Sequence, residues 1–382
     1  MKKIKVAHII TMLELGGAQG NTLYTVRHLD RSRFDVILIS GRGGILDEEA
    51  CSIKNLKLYF VPTLIRHINP LYDIVAFFHL LFILLKEKPA IVHTHSSKAG
   101  ILGRLSAWVA RRPVILHTFH GFGFNPYQKP LVRKVFVFAE KVASLVTTKF
   151  IAVSQDNIHT AVKLGIKSKK GYILIRSGIE MEKFKNVDIN VKEYKKALGI
   201  EDKDSVVVTV GPFKKQKNLT DYIEVAGIVR GRVANVKFLV IGDGALRKVL
   251  EERIRLLNLG DVVKLLGWRR DVPQIFKISN LFVLTSLWEG LPRAAVEALV
   301  SGLPVVAYDV DGLRDIIVNG VNGYRVKVKD VGALAERIVE LLTDRDKYIA
   351  LSENAKRSIN CEEFDISNMV KQQEKLYLQL MN

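Results

Sequence analysis

Short apolar runs alternate with helical stretches along the chain. Lys5–Ile10, Phe34–Ile39, Leu56–Val61, Ala90–His93, Pro113–His117, Phe150–Val153 and Tyr172–Ile175 read as strands, with helix-like segments between most of them. A polar stretch from Glu180 to Asp204 interrupts the pattern and holds one expected helix, Val191–Leu198, stopped by Gly199. The alternation then resumes at Ser205–Gly211, Phe238–Gly244, Val263–Trp268, Asn280–Thr285 and Pro304–Ala307. Strand–helix alternation of this kind predicts an α/β protein built on parallel, doubly wound sheets. A length of 382 residues exceeds one small core and predicts two domains. The expected division is 1–185, 186–360, and a closing segment 361–382 whose Phe364–Leu380 run reads as a helix. The longest apolar run, Ile74–Leu85, has 12 residues and contains His79. Crossing a bilayer takes ~20, so a buried core helix is expected there, ahead of an interfacial segment.

The densest cluster of chemical signals is Leu284 to Pro304. It starts at the end of an apolar strand, turns at Glu289-Gly290, and enters a helix at Pro292, whose missing N–H costs nothing in a first turn. Ala294, Ala295, Ala298 and Leu299 carry that helix to Gly302, with Pro304 just beyond. Glu289 therefore sits at a strand's carboxyl end and Glu297 in the second helical turn. The N–H groups of Gly290, Leu291 and Arg293 form a helix start suited to an anion. Two other loops have similar geometry. Strand Lys5–Ile10 runs into a turn with Gly16 and Gly17 and then a helix, without the Gly-x-Gly-x-x-Gly dinucleotide spacing. Strand Ser205–Gly211 runs into Pro212-Phe-Lys-Lys-Gln-Lys-Asn218, where Lys214, Lys215 and Lys217 are point charges beside a helix start.

Charge and cysteine content narrow the picture. The net charge of +19 is uneven: residues 1–185 hold 28 Lys and Arg against 12 Asp and Glu, +16, and residues 186–382 hold 30 against 27, +3. A basic half beside a near-neutral half points to a polyanionic partner such as anionic headgroups or a lipid diphosphate. No nucleic-acid motif is present, so nucleic acid is not expected. The basic, aromatic stretch Asn125–Lys149, with Lys129, Arg133, Lys134 and Lys141 and with Phe136 and Phe138, suits a membrane surface. It equally suits an ordinary amphipathic helix. Cys51 and Cys361 lie far apart and frame neither a disulfide network nor a metal site, and the Met1–Val6 start leads into a strand without a signal peptide. A reducing, cytoplasmic setting follows. His93, His95, His117 and His120 fall at two strand ends, but no carboxylate or Cys joins them and the helical His-x3-His spacing is missing, so no metal site is expected. Asp309-Val-Asp311 reads as a turn, and Asp271, Pro273 and Ile275 read as structural.

Glu289-x7-Glu297, set inside Glu-Gly-Leu-Pro…Glu-Ala…Gly-x-Pro-Val, resembles the signature of the retaining GT-B glycosyltransferases of family 4, and the resemblance covers nearly the whole chain. It implies two Rossmann-like doubly wound domains facing a cleft, an acceptor-side domain followed by a nucleotide-sugar domain, with the last helix crossing back. It also implies roles. Glu289 meets donor-sugar hydroxyls and Glu297 the ribose, with Gly290 and Leu291 at the helix start. Gly16 and Gly17 match the loop that approaches the donor diphosphate. His120 matches the active-site His that contacts the donor sugar. His93 and His95 match a motif frequent in polysaccharide-assembly members; as residues alone, they fit a satisfied, partly buried pair equally well. Lys217 matches the family Lys, but Pro212 stands where the family has Arg, leaving Lys214 or Lys215 to supply that charge. Gly242 and Gly244 match the family's Gly-x-Gly, and Trp268 precedes Arg269-Arg-Asp-Val in the loop that reads the base. Ile175-Arg-Ser-Gly-Ile-Glu180 resembles the turn that ends the first domain, with Ser177 for Asn and Glu180 for Asp.

The implied activity is a metal-independent, retaining hexosyl- or N-acetylhexosaminyltransferase with no cofactor. Its donor is a nucleotide sugar, UDP-linked in preference to GDP-linked. Its acceptor is an undecaprenyl-diphosphate-linked saccharide in bacterial surface polysaccharide synthesis, including capsule and exopolysaccharide. Catalytic roles fall to His120, Glu289 and Lys217. The enzyme is expected at the inner face of the cytoplasmic membrane. The alternatives are a nucleotide-sugar epimerase or hydrolase on the same fold, and a non-catalytic membrane- or nucleic-acid-binding protein; the presence of both Glu289 and Lys217 weighs against the last.

Overall fold

The computed structural model describes residues 3–381. Met1 and Lys2, which open the stretch read as free of a signal peptide, and Asn382, which ends the closing segment, lie outside them. The chain forms two units, Met1–Gly178 with Asp365–Asn382, and Ile179–Phe364.

Unit 1 is built on seven parallel strands: β1 (Ile4–Ile10), β2 (Phe34–Ser40), β3 (Lys57–Phe60), β4 (Ile91–His95), β5 (Val114–Phe119), β6 (Lys149–Ala152) and β7 (Tyr172–Leu174), in the order 3-2-1-4-5-6-7. Unit 2 repeats the scheme with β8 (Ser205–Val210), β9 (Val236–Ile241), β10 (Val263–Gly267), β11 (Leu281–Leu284), β12 (Val305–Tyr308) and β13 (Gly323–Val326), ordered 10-9-8-11-12-13. Strand order reverses between β1 and β4 in one sheet and between β8 and β11 in the other. In open α/β sheets, ligands bind outside the carboxyl ends of strands at such reversals. Central strands are buried on both faces, which is why Val206–Val208 and Leu281–Leu284 read as unbroken apolar runs.

The units divide at Gly178 rather than at 185. Residues 179–185 belong with unit 2 because their apolar side chains bury there: Phe184 packs against Phe276 at 5.9 Å between ring centroids. The return falls at Asp365 rather than at 361, and Ile179 N–H donates to Phe364 C=O at 2.9 Å. The last helix, Ile366–Met381, sits in unit 1, where Met369, Val370, Leu376 and Tyr377 join the core beside β1 and β2.

The expectation of a buried core helix at Ile74–Leu85 is corrected. The helix spans Pro70–Glu87 and buries only one stripe, Ala76, Leu80, Ile83, Leu84 and Glu87. Leu71, Ile74, Val75, Phe78, Phe82 and Leu85 follow helical spacing on the opposite face and are exposed, Phe78 at 59% and Phe82 at 66%. An apolar run reports the hydrophobicity of a helix and not how many of its faces have partners. Beside it lies Ser97–Val109, and beside that Pro130–Leu145. These last two are joined by a buried ion pair, Arg104 to Glu140 at 2.6 Å. On Pro130–Leu145, Leu131, Val135, Phe138 and Leu145 are exposed, whereas Phe136 packs inward with Phe119, Phe124 and Phe150. Among the described residues no helix is long and apolar enough to cross a membrane.

Candidate active site

In unit 2, the loops after β8 and β11 are held together by their own backbones. Leu287 N–H donates to Gln216 C=O at 2.8 Å, and Thr285 Oγ1 donates to Lys217 C=O at 2.9 Å. The clamp places Lys217, on a single turn at Lys215–Lys217, against Glu289: Nζ lies 2.6 Å from Oε1, with side chains 13% and 9% exposed. Gln216 Nε2 reaches the other oxygen of Glu289 at 3.4 Å. Two residues chosen separately from the sequence, one for phosphate and one for the sugar, thus form one ion pair at the point where strand order reverses. Lys214 and Pro212 are half-buried in the same loop and Lys215 is exposed.

The helix after β11 spans Arg293–Val300, so Pro292 is its cap and not its first residue. Leu303 N–H to Ala298 C=O and Gly302 N–H to Leu299 C=O, both 2.9 Å, close its far end. Gly290 and Leu291 are buried just before it. Glu297 is 3.6 Å from Arg293, and burial pushes its carboxyl above the usual range against the pull of that guanidinium. Three buried polar atoms around these loops have no hydrogen-bond partner: Asn218 Nδ2, Ser286 Oγ and Arg293 Nε. Orphaned buried groups are rare in folded proteins and call for an explanation such as a ligand. The Ser286 hydroxyl and the Arg293 guanidinium were missed from sequence, which had singled out only the Arg293 N–H. Their signal was position alone, in the turn and first helical residue around Glu289.

Gly242 and Gly244 let neighbouring turns approach closely. A Cβ on Gly242 would lie 2.0 Å from Gly211 O, so only glycine lets the turn after β9 press on the turn after β8. Gly242 N–H donates to Gly267 C=O at 2.8 Å, and Gly244 N–H to Asp243 Oδ1 at 2.7 Å. Both glycines frame the Lys217 loop. Gly312 does the same for the Glu289 loop: its φ is +75°, and a Cβ there would lie 1.9 Å from Gly290 O. Asp309 accepts from Arg314 and Arg325, both at 2.9 Å, which fits the reading of that segment as a turn. Trp268 is exposed beyond β10. Next to it Asp271 is bonded to Arg269 and to Tyr194 Oη, and burial with that carboxylate pushes Tyr194 up to about 12.

In unit 1, Gly16 caps the helix Gly17–His28, which has no side-chain cap and no acidic residue in its first turn. That start is compatible with an anion. His120 follows β5, and its Nε2 lies 3.1 Å from Nδ1 of His95 at the end of β4. His93 and His95 are fully rather than partly buried. They meet His8 on β1, a neighbour that 84 intervening positions hide from sequence reading. Ligand atoms of His8, His93 and His95 lie within 4.8 Å of one another. All three rings are hydrogen-bonded, His93 to Tyr377 at 2.6 Å and to Thr118 at 2.7 Å, His8 to His95 at 3.0 Å. Burial pushes His8 down to about 3 and His93, His95 and His117 well below the usual range. His117 stands apart, bonded to Thr94 at 2.9 Å.

Two parallel sheets with this strand order, each carrying candidate residues at its reversal point, have the fold of the GT-B class. Residues 15–182 match the family model described as Glycosyltransferase Family 4, and residues 190–358 match Glycosyl transferases group 1. The chain belongs to glycosyltransferase family 4. It is 33% identical over 383 residues to the UDP-Gal:alpha-D-GlcNAc-diphosphoundecaprenol alpha-1,3-galactosyltransferase of Escherichia coli, covering 99% of this chain and 98% of that one. It is 27% identical over 368 residues to the capsular polysaccharide biosynthesis glycosyltransferase CapM of Staphylococcus aureus, covering 94% and 93%. The same fold occurs in HepE from Anabaena in complex with UDP-glucose, with a TM-score of 0.84 at 20% identity over 98% of this chain and 100% of that one.

Proposed function

We propose that this glycosyltransferase moves a sugar from a UDP-sugar to an undecaprenyl-diphosphate-linked saccharide, with retention at the anomeric carbon and without a metal ion. The observation that carries the donor part is the Lys217–Glu289 pair, set among Asn218, Ser286 and Arg293 atoms that lack partners. The sugar–phosphate bond breaks, and the anomeric carbon bonds to the acceptor oxygen. The acceptor proton passes to the departing phosphate. Preorganised charge is what such a departure needs. Lys217 and Arg293 offer it in unit 2. Glu289, already holding an ammonium, is suited to orienting a sugar hydroxyl and poorly suited to attack carbon. Front-face departure is therefore favoured over a covalent intermediate. Support for the acceptor comes from the Escherichia coli relative, whose name specifies a diphosphoundecaprenol substrate.

The protein sits peripherally on the inner face of the cytoplasmic membrane in this reading. Exposed apolar stripes on Pro70–Glu87 and Pro130–Leu145 lie with Lys129, Arg133, Lys134 and Lys141 in the basic half of the chain. The deciding assay follows UDP release with and without a lipid-diphosphate-linked saccharide, in chelator. Acceptor-dependent release with an α-linked product is expected from α-linked donors. Equal release without acceptor would make the enzyme a hydrolase or epimerase, and an absolute need for divalent metal would overturn the metal-free reading.

A further inference from the structure

Five hydrogen bonds thread the buried centre of unit 1 from β5 to the last helix and back. In order they join His120 Nε2 to His95 Nδ1 (3.1 Å), His95 Nε2 to His8 Nδ1 (3.0 Å) and His8 Nε2 to Tyr377 Oη (3.5 Å). They continue from Tyr377 Oη to His93 Nδ1 (2.6 Å) and from His93 Nε2 to Thr118 Oγ1 (2.7 Å). Each ring uses both nitrogens or hands one to the next, and a neutral imidazole has one N–H and one lone pair. A ring that donates on one side must therefore accept on the other. Along the linked rings of His120, His95 and His8, the direction chosen at any link fixes the others, whereas the Tyr377 hydroxyl has one proton to donate and two lone pairs to accept with.

The Tyr377 end sets that direction. A phenol is a much stronger proton donor than the N–H of a neutral imidazole, so in the 2.6 Å bond the phenol donates to His93 Nδ1. The contact to Gln373 Oε1, 3.4 Å, is the weaker claimant for the same proton. His93 then carries its proton on Nε2 and gives it to Thr118. The phenol oxygen is left to accept from His8 Nε2–H, so His8 Nδ1 accepts from His95 Nε2–H, and His95 Nδ1 accepts from His120 Nε2–H. We infer that Tyr377, His8 and His95 are positioning residues that hold His120 in its Nε2–H tautomer, leaving its lone pair on Nδ1. A His120 in that form accepts from a sugar hydroxyl and cannot donate to a phosphate through Nδ1. Burial keeps His8, His93 and His95 neutral, which is the condition for the coupling to propagate. The bearing on turnover rests on the proposed transferase activity and on the donor-sugar contact that the family resemblance implies for His120; the tautomer itself does not.

The test is the long-range proton–nitrogen spectrum of the full chain labelled with 15N-histidine, with His120→Gln identifying the His120 signals. The wild type should show His120, His95 and His8 each with a pyrrole-type Nε2 and a pyridine-type Nδ1. Tyr377→Phe keeps the ring that packs edge-on to Phe34 and removes only the hydroxyl. His8 Nε2–H then has no acceptor, so its proton moves to Nδ1, and the other two rings follow. In that variant the His120 nitrogens should exchange character although His120 itself is unchanged. A wild-type His120 protonated on Nδ1 would overturn the inference, as would His120 signals unmoved in Tyr377→Phe, or ring shifts that mark a bound metal. A tautomer that switches while donor turnover does not would uphold the relay and remove His120 from the donor site.

Discussion

Lys217 Nζ and Glu289 Oε1 are 2.6 Å apart, joined across the loops of two paired strands, β8 and β11. Neither residue then acts alone. Removing one partner of a mostly buried ion pair costs ~3–5 kcal/mol because the other charge stays behind. Lys217→Ala and Glu289→Ala should each lower turnover sharply and lower the melting temperature of unit 2. The double variant should be clearly less damaged than the sum of the two singles, with coupling of ~1–3 kcal/mol. Additive losses in a double-mutant cycle would mean that the two groups serve separate steps.

UDP should raise the melting temperature in chelator, because a ligand that binds only the native state stabilises it by mass action. Glu297→Ala should weaken that effect by the value of a hydrogen bond to a charged group, ~1.5–3 kcal/mol, and Glu289→Ala should mostly spare it. Because burial raises the Glu297 pKa, its carboxylate forms only as pH climbs past that raised value, so UDP affinity should rise with pH there and fall on the acid side. Unchanged affinity in Glu297→Ala would refute a ribose contact.

Unit 1 should be acid-labile. His8, His93, His95 and His117 have folded-state pKa values below the 6.5 they regain on unfolding. Below pH 6.5 the unfolded chain binds more protons, so stability is present above that pH and lost as pH falls. Each histidine contributes a slope of ~1.4 kcal/mol per pH unit once it is fully protonated when unfolded. Thermal melts at pH 7.5, 6.5 and 5.5 should show one transition dropping far faster than the other; parallel shifts would contradict the burial of these rings.

Vesicle binding should depend on charge and on the outward apolar stripes together. Each Lys or Arg near an anionic surface is worth ~1 kcal/mol, screened beyond about a Debye length. Reversing Lys129, Arg133, Lys134 and Lys141 should abolish co-sedimentation with anionic vesicles, and Phe78→Ser with Phe82→Ser should weaken it, while UDP binding persists. Equal partitioning onto neutral vesicles would assign the basic half another role.

The strands that carry the site were readable because they are buried on both faces, and Leu281–Leu284 or Val206–Val208 cannot be mistaken for anything solvated. β13 was missed because Gly323-Tyr-Arg-Val326 is a short edge strand with only half-buried side chains after its glycine. Glu289 and Lys217 were legible as types at spacings, but their pairing was not, since it depends on the β8–β11 neighbourhood. Exposure of the Pro70–Glu87 stripe was hidden because local sequence records hydrophobicity and never the number of packing partners. His8 and Tyr377 were illegible for a related reason: the β1–β4 register sets His8 opposite His93, and the last helix adds Tyr377 from the far end of the chain.

That last helix has a consequence for how the protein is made. Unit 2 is one uninterrupted stretch of sequence, whereas unit 1 is completed by residues synthesised after all of unit 2. Domains tend to fold as they leave the ribosome, at ~5–20 residues per second. Unit 1 therefore lacks Met369, Val370, Leu376 and Tyr377 from its core throughout the synthesis of unit 2. For roughly ten seconds or more the nascent chain holds an unsealed apolar seam beside β1 and β2, and a histidine network without its phenol. Truncation within 365–381 should thus leave unit 1 open to chaperones and proteases while unit 2, which needs none of those residues, can still fold.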